Sequence, residues 1–435
     1  MQNTMDARLL QIYSLFKKHP SVCTDSRKLK EGDLFFALKG DNFDGNKYAI
    51  QAIENGAVCA VADDIDLPHH ENLILVDDVL TTLRLLATHH RKLMKATVIG
   101  ITGTNGKTTT KELLAAVLSS TFKTICTQGN LNNHIGVPLT MLSINEETEM
   151  AVIEMGANHQ GEIRHLCSIA QPDFGIITNI GKAHLEGFGS FTGVINAKSE
   201  LYAYIDDHGG EIFVNMDNPL LATLSKNISR HTYGSDIKAD MYAEIISADP
   251  FVNLRWEYKN NQSVLKTRLI GEYNAENIMA AIAIGSHFGV GKSEINNAIS
   301  AYSPVNFRSQ LIETEHNRII MDAYNANPVS MEAAIRNFNK FMNRNAWFII
   351  GDMLELGTES DYEHAEMLRL LTDIDAENVI LVGKNFGEVY GGDDWLHFND
   401  VESLNLHLKK KPIRACDILL KASRGIGLEK ALPFL

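Results

Sequence analysis

The sequence predicts an α/β protein of about three domains, and three observations predict it. Short apolar, β-branched runs alternate with stretches whose apolar residues recur at helical spacing along most of the 435 residues. Many of those runs end in Gly, Asp, Glu or Lys, the pattern of open parallel sheets that carry ligands at their carboxyl ends. One run, Thr97 to Ile101, passes through a glycine cluster straight into a helix. The length suits about three domains of roughly 100–200 residues, and the pattern places soft boundaries at residues 1–95, 96–305 and 306–435.

In the first part the spacing predicts a short helix from Leu9 to Phe16, a strand from Gly32 to Leu38, a turn-rich loop from Gly40 to Gly45 and a helix from Tyr48 to Asn55. Strands follow at Ala57–Ala62 and Leu73–Val76. An amphipathic helix from Val79 to Met94 carries Leu83, Leu86 and His90 on one face. The middle part opens on the Thr97–Ile101 strand. Gly103, Asn105 and Gly106 form a turn. Lys107 to Phe122 has Leu113, Leu114, Val117, Leu118 and Phe122 on one helical face. Strands are predicted at Met150–Glu154, Phe174–Thr178 and Ile212–Asn215, a loop at Gly181–Gly189 and a helix at Phe191–Ile205. Between about 231 and 270 the pattern shifts to successive strands such as Leu254–Tyr258. A helix from Tyr273 to Phe288 is expected to be capped by Asn274 and stopped by Gly289. The last part alternates strands Arg318–Asp322, Ala346–Ile350, Val379–Val382 and Asp417–Leu420 with helices at about 328–343, 361–374 and 424–433. No internal repeat is present at solenoid periods.

Strand, glycine loop, Lys-Thr and helix together make a phosphate-binding loop. Glycines let backbone N–H groups close on phosphate oxygens, and the helix N-terminus adds partial positive charge. Lys107 would reach the outer phosphates and the Thr108 hydroxyl a Mg²⁺. Ile101 stands where the common pattern has its first glycine, and Gly100 misses that place by one. A nucleoside triphosphate is the expected first substrate.

Bulk composition narrows the rest. Hydrophobic content of 45% and charged content of 22% fit a globular chain with a sizeable core. A net charge of −14 argues against nonspecific nucleic-acid binding, so anionic ligands must be held locally. Cys23, Cys59, Cys126, Cys167 and Cys416 are dispersed, which predicts reduced thiols in a cytoplasmic protein and neither a disulfide frame nor a zinc motif. No apolar run approaches a membrane span, so neither targeting nor a membrane anchor is expected.

Several side chains stand where chemistry could occur. Glu154 ends an apolar strand predicted beside the phosphate loop, where a carboxylate can bind Mg²⁺. His184 lies in the glycine-rich segment Gly181–Gly187, which permits close approach to a ligand. By spacing alone, Lys198 on its helix is an ordinary solvated lysine. Asn274 and Asn277 share a first helical turn; the second is harder to explain as a cap and could read an adenine edge. Arg308, between the second and third parts, could clamp an outer phosphate.

Taken together these stretches resemble the Mur ligase family over nearly the whole chain. Thr102–Thr109 has that family's phosphate-loop form, shared with folylpolyglutamate synthases. The block Thr24–Arg27 with Gly32–Leu38 resembles the uridine-binding N-terminal domain of its later members. Gly129–Pro138, Glu154–Glu162, Asp322–Pro328 and Gly351–Gly357 resemble the member that adds a dipeptide. The resemblance implies a uridine-binding N-terminal α/β domain, a central ATP domain with a parallel sheet plus a small antiparallel sheet, and a Rossmann-like C-terminal domain. It implies an ATP- and Mg²⁺-dependent amide ligase of cytoplasmic peptidoglycan precursor synthesis, monomeric, joining D-alanyl-D-alanine to UDP-N-acetylmuramoyl-tripeptide through an acyl phosphate. With that role come links to cell-wall biogenesis, cell shape, cell division and the cell cycle.

Residue by residue, the resemblance assigns Gly103, Thr104, Asn105, Gly106, Lys107, Thr108 and Thr109 to ATP, and Thr108, Glu154, His184 and Lys198 to metal ions, Lys198 as a carbamate. Asn274 and Asn277 fall on the adenine side, Arg308 at the γ-phosphate and Asp322 at the ribose. Lys107, Glu154, His184, Lys198 and Arg308 are the catalytic set. Asp25, Ser26 and Arg27 are expected at the uridine end. Asn130, Asn132 and Asn133 are expected at substrate, and Asn325 and Asn327 on the dipeptide side. Two departures from the family pattern stand out: Phe307 precedes Arg308, and Ala422 lies in Lys421–Arg424, where glycines are usual. Alternatives are a third-residue-adding or folylpolyglutamate-type ligase of the same superfamily, and a phosphate-loop ATPase without ligase activity.

Overall fold

The computed structural model describes residues 2–183, 185–259, 261–341 and 345–435. Three sheets of four or more strands organise them, and a two-stranded hairpin, Lys39–Gly40 with Phe43–Asp44, forms at the predicted Gly40–Gly45 loop. A four-stranded parallel sheet runs in the order Val22–Cys23, Leu34–Phe36, Cys59–Ala62, Leu73–Leu75. Helix Val79–Leu93 leaves it and packs on helices Gly136–Leu142 and Glu162–Ala170, so the first unit is bolted to the second.

The second sheet has nine strands. Thr124–Cys126, Met150–Glu154, Thr97–Thr102, Phe174–Ile177, Glu211–Asn215, Arg230–Gly234 and Met241–Ala248 lie parallel in that order. Phe251–Tyr258 and Asn261–Ile270 extend it antiparallel. Both faces of the parallel part are covered. On one lies helix Phe191–Asp207, held close because Gly100 and Gly175 are neighbours in register and have no side chain; a Cβ on Gly100 would come within 3.2 Å of Leu201. Helices Lys107–Ser119 and Asn274–His287 cover the other face, tightly enough that a Cβ on Gly285 would fall 2.4 Å from Val117. Ile99, Ile101, Leu113, Leu114, Val117, Leu118, Ile278 and Ile282 are fully buried between them. At about 1.5–3 kcal/mol per buried aliphatic side chain, this packing fixes the direction in which the phosphate-loop helix points.

The third sheet orders its strands Gln310–Glu313, Arg318–Asp322, Asp417–Lys421, Ala346–Gly351, Asn378–Val382, Leu396–Phe398. All are parallel except the first.

Several expectations are corrected here. The first helix spans Gln2–Lys18; its start lacks apolar periodicity, while Lys17 and Lys18 suit a helix end. Strand Thr124–Cys126 intervenes between the phosphate-loop helix and Glu154, although Glu154 still pairs beside the loop, opposite Ile101. Residues Leu185–Phe188 form a short helix inside the predicted loop. The predicted helix over 424–433 is two 3₁₀ segments, Arg424–Ile426 and Leu428–Phe434, because Gly427 turns left-handed (φ 69°) and Pro433 denies an amide. Asn274 is not a cap. Tyr273 holds that position, and the Asn274 amide donates instead to the Ile270 carbonyl at 2.7 Å. Helices Lys292–Ala301 and Val401–Lys410 went unpredicted, their periodicity blurred by polar positions.

Candidate active site

The phosphate loop is built from two neighbouring strands. Thr104 N–H donates to the Asn179 carbonyl and Asn105 N–H to the Asn179 side chain, both at 2.9 Å. The Thr178 hydroxyl and the Asn179 amide return bonds to the Asn105 carbonyl at 2.6 and 3.1 Å. These bonds consume the loop's first amides. The opening amides of helix Lys107–Ser119, which have no intrahelical acceptor, remain for an anion. Gly106 sits at φ 78° against Asn277, whose Oδ1 accepts from the Thr110 hydroxyl at 3.0 Å. Lys107 folds back, donating to the Gly103 and Thr104 carbonyls at 2.7 and 2.9 Å. Desolvation deep in the cleft pulls its ammonium down to about 8, opposed by Glu154 and reinforced by Arg308.

Glu154 is 1% exposed. One oxygen accepts from Asn132 at 2.8 Å and from the Thr108 hydroxyl at 3.3 Å. The other is buried without a hydrogen-bond donor; Lys111 Nζ, at 3.8 Å, attracts it electrostatically only. An unbonded buried carboxylate oxygen is costly, and a hydroxyl with a carboxylate oxygen is a donor set that suits a hard divalent cation such as Mg²⁺. The residues therefore fit the expected ion. Lys111, one helical turn beyond Lys107, was missed by the sequence reading, although i,i+4 spacing puts both on one face.

Lys198 is 3% exposed, 3.5 Å from the Ala157 carbonyl and 5.3 Å from the Phe188 ring centre. Burial, then the charge of Lys107, pulls its amine down to about 7. It is no solvated surface lysine, contrary to what spacing alone gives. His184 lies outside the described residues.

The third domain closes the cleft. Arg308 lies flat over Tyr324, 3.7 Å from the ring centre, with its Nε buried and unbonded. Its neighbours Phe307 and Ser309 are both left-handed, at φ 53° and 50°. Phe307 therefore occupies a conformation that glycine adopts without strain, which explains why a glycine is the usual residue there. Asp322 pairs with the buried Lys421 at 2.7 Å and accepts from the Ser309 amide. In sequence Lys421 is only a polar strand end; register sets it opposite Asp322. Ala422 meets Gly351, whose missing side chain would otherwise lie 2.8 Å from the Ala422 methyl.

A cleft of about 1040 Å³ connects these groups. Its lining includes Thr104 to Thr109, Asn130, Asn132, Asn133, Glu154, Asn274, Asn277, Arg308, Asp322 and Asn325. Gly103 lies behind it, at φ 146° against Thr178. Arg84, His134 and His165 line it too and were not anticipated. Burial lowers the pKa of all three. Arg84 and His165 are polar positions of ordinary helices and carried no signal, whereas His134 lies within the distinctive stretch Gly129–Pro138.

Lys198 lies beneath the lining residue Ala157 and is not itself part of the cleft lining, and two further groups of expected residues do not meet the cleft. Asn327 is outside the cleft lining: its side-chain amide donates to Asn105 Oδ1 at 2.8 Å and accepts from the Asn105 amide at 3.3 Å, which ties the domains together. Asp25, Ser26 and Arg27 lie outside the cleft lining. Asp25 caps the 3₁₀ turn Ser26–Lys28 and is held down to about 2 by Arg27, its hydrogen-bonded partner at 2.8 Å.

Comparison with known proteins places this geometry. The Mur ligase middle-domain pattern matches residues 101–285, the Mur ligase glutamate-ligase domain 307–408, and the Mur ligase family catalytic domain 20–116. A Bacillus subtilis protein named UDP-N-acetylmuramoyl-tripeptide–D-alanyl-D-alanine ligase is 37% identical, covering 95% of this chain and 92% of that one. The crystal structure of MurF from Acinetobacter baumannii superposes with a TM-score of 0.83 at 32% identity, over 95% of this chain and 92% of that one. MurF from Thermotoga maritima, solved in complex with ADP, gives 0.83 at 26% identity over 95% and 96%.

Proposed function

We propose, for a chain that belongs to the Mur ligase family, that it is the ATP-dependent ligase joining D-alanyl-D-alanine to UDP-N-acetylmuramoyl-tripeptide. One observation carries the reading. The phosphate loop, Glu154 and the Arg308–Asp322 wall face one another across a single cleft large enough for a nucleotide and a peptide end. Relatives of that name align over nearly the full length.

The tripeptide carboxylate attacks the γ-phosphorus of ATP, the bond to the ADP oxygen breaks, and an acyl phosphate forms. Lys107 unfolds from its loop carbonyls to follow the charge, and Arg308, preorganised on Tyr324, meets the transferred group. The free amine of D-alanyl-D-alanine then adds to the acyl carbon. The tetrahedral species expels phosphate, leaves the amide and releases a proton. Thr108, Glu154 and His184, with Lys198 as a carbamate, would hold Mg²⁺, which when bound neutralises phosphate charge. An amine pulled down to about 7 is substantially uncharged at neutral pH, the form that carbon dioxide captures. Domain closure, tied by Asn105–Asn327 and by Lys182–Glu363 at 3.0 Å, keeps water from the acyl phosphate.

Asn274 and Asn277 are assigned to the adenine side, Asp322 to the ribose, Asn130, Asn132 and Asn133 to the peptide substrate, Asn325 to the acceptor, and Asp25 to Arg27 to the uridine end. No helix among the described residues is long and apolar enough to cross a membrane. A cytoplasmic monomer, contributing through cell-wall synthesis to cell shape and division, completes the reading.

The test incubates the protein with ATP, Mg²⁺ and UDP-N-acetylmuramoyl-tripeptide, with or without D-alanyl-D-alanine. Phosphate release that depends on the dipeptide, with the pentapeptide product seen by mass, is expected. Equal release without the dipeptide refutes the proposal.

A further inference from the structure

A second group of potential ligands lies apart from the cleft, on the sheet face that helix Asn274–His287 covers. Glu211 opens strand Glu211–Asn215, and His231 is second in the adjacent parallel strand Arg230–Gly234, two register steps further on and so on the same face. His287 is the last residue of the helix. Their nearest ligand atoms all lie within 4.8 Å of one another. Among the described residues this is the only trio of His, Cys, Asp or Glu drawn so close, and none of the three lines the nucleotide cleft.

We propose that Glu211, His231 and His287 form a binding site for one late first-row divalent metal ion, of which zinc is the natural probe. Its donor set, spacing and surroundings support it. Two imidazoles and a carboxylate are a donor set suited to zinc, nickel or cobalt and not to Mg²⁺, which prefers oxygen. Metal–ligand bonds of about 2.0–2.1 Å place ligand atoms about 3.3 Å apart. The Glu211–His231 contact is now 2.8 Å and the two imidazole rings are centred 4.0 Å apart, so small side-chain rotations suffice.

The surroundings also suit an ion. Ser229 donates to the other Glu211 oxygen at 3.2 Å, the kind of outer hydrogen bond that orients a ligating carboxylate. Phe174, Phe213 and Phe288 wall the imidazoles on the inside. Glu211 and His231 remain 40% and 30% exposed, leaving an entry path and room for a water ligand. The carbonyl end of the helix dipole favours a cation there. Burial, then the neighbouring His231, lowers the His287 pKa, which keeps that imidazole in its ligating, neutral form. Lys259 lowers that pKa too, and the Glu211 carboxylate raises it.

A bound ion would clip the C-terminal end of this helix to two strands. The other end of the same helix carries Asn274 and Asn277, so the site is a structural staple for an element that reaches the nucleotide.

The test uses the full chain with excess Mg²⁺, stripped of other metals. Zinc is titrated by equilibrium dialysis with parallel thermal melts, in the wild type, His231→Gln, His287→Gln and Ser229→Ala. The wild type should take up one more zinc per chain than either histidine variant and should melt higher with zinc, which neither histidine variant should do. Ser229→Ala should keep the stoichiometry and bind about 10–100-fold more weakly. Mg²⁺-supported nucleotide turnover should be unchanged in all four. Equal zinc uptake and equal melting shifts in the wild type and both histidine variants overturn the proposal. Should a variant fail to fold, imidazole NMR of the wild type decides instead: zinc must perturb the His231 and His287 rings together, and unmoved rings refute the site.

Discussion

Replacing Gly106 by alanine tests the phosphate loop as read from its geometry. The residue sits at φ 78°, and an added Cβ would lie 2.3 Å from Asn277 Oδ1. Two costs follow. A left-handed residue with a side chain costs about 1–2 kcal/mol. Asn277 must also move, which breaks its bonds with Thr110 at 3.0 Å and Asn274 at 2.9 Å; these are worth about 1 kcal/mol each. The expected loss of stability is about 3–4 kcal/mol. Gly209 supplies the control, because it has nearly the same backbone (φ 70°) and nothing within 4 Å of an added Cβ. Gly209→Ala should cost only the backbone share, about 1–2 kcal/mol. The unfolded-state entropy gain is common to both variants and cancels. Urea unfolding should separate them by about 2 kcal/mol, and calorimetry should show ADP binding at least about tenfold weaker in Gly106→Ala alone, a loss of ~1.4 kcal/mol. Equal stability losses with unchanged ADP affinity would refute the packing of Asn277 on the loop.

Three further outcomes are expected. Lys421→Met leaves the Asp322 carboxylate buried without its cation, and should cost about 3–5 kcal/mol in urea unfolding. Adding Asp322→Leu should recover much of that loss, and a double variant no more stable than the single one would contradict the pairing. Asn327→Ala combined with Lys182→Ala removes two of the ties between the central and third domains, and should enlarge the radius of gyration seen by small-angle scattering; an unchanged curve would show that neither holds the closure. Lys198 predicts a pH dependence. Its folded pKa of about 7 lies below that of a free lysine, about 10.4, so the unfolded chain binds the extra proton in between. Its burial cost stands in full below pH 7 and is relieved as pH rises towards 10. In carbonate-free buffer the wild type should gain on Lys198→Met over that window, by at most ~1.4 kcal/mol per pH unit. A flat difference would mean that Lys198 is not desolvated.

The departures from expectation share a cause. Strands Thr97–Thr102, Met150–Glu154 and Arg318–Asp322 were legible because continuous apolar runs flanked by polar ends have one good solution, burial in a parallel sheet. The 3₁₀ segments at the C-terminus were not, since Gly427 and Pro433 act through local dihedrals that apolar spacing does not report. Asn274 looked like a cap because caps and first-turn amides share a composition; its donation to Ile270 depends on how the preceding strand enters the helix. Asn327 looked like a ligand-binding residue in a polar loop, and only domain docking turned it towards Asn105.

The order of residues by itself determined the α/β class, the phosphate loop and the family, because these rest on local periodicity and on contiguous motifs. Only the tertiary structure decided that Lys111 faces Glu154, that Lys421 neutralises Asp322, that Lys198 is buried beyond the reach of solvent and that Arg84 joins the cleft. Each of these depends on strand register or helix docking, long-range choices made by the packing of whole faces, and no stretch of neighbouring residues encodes them alone.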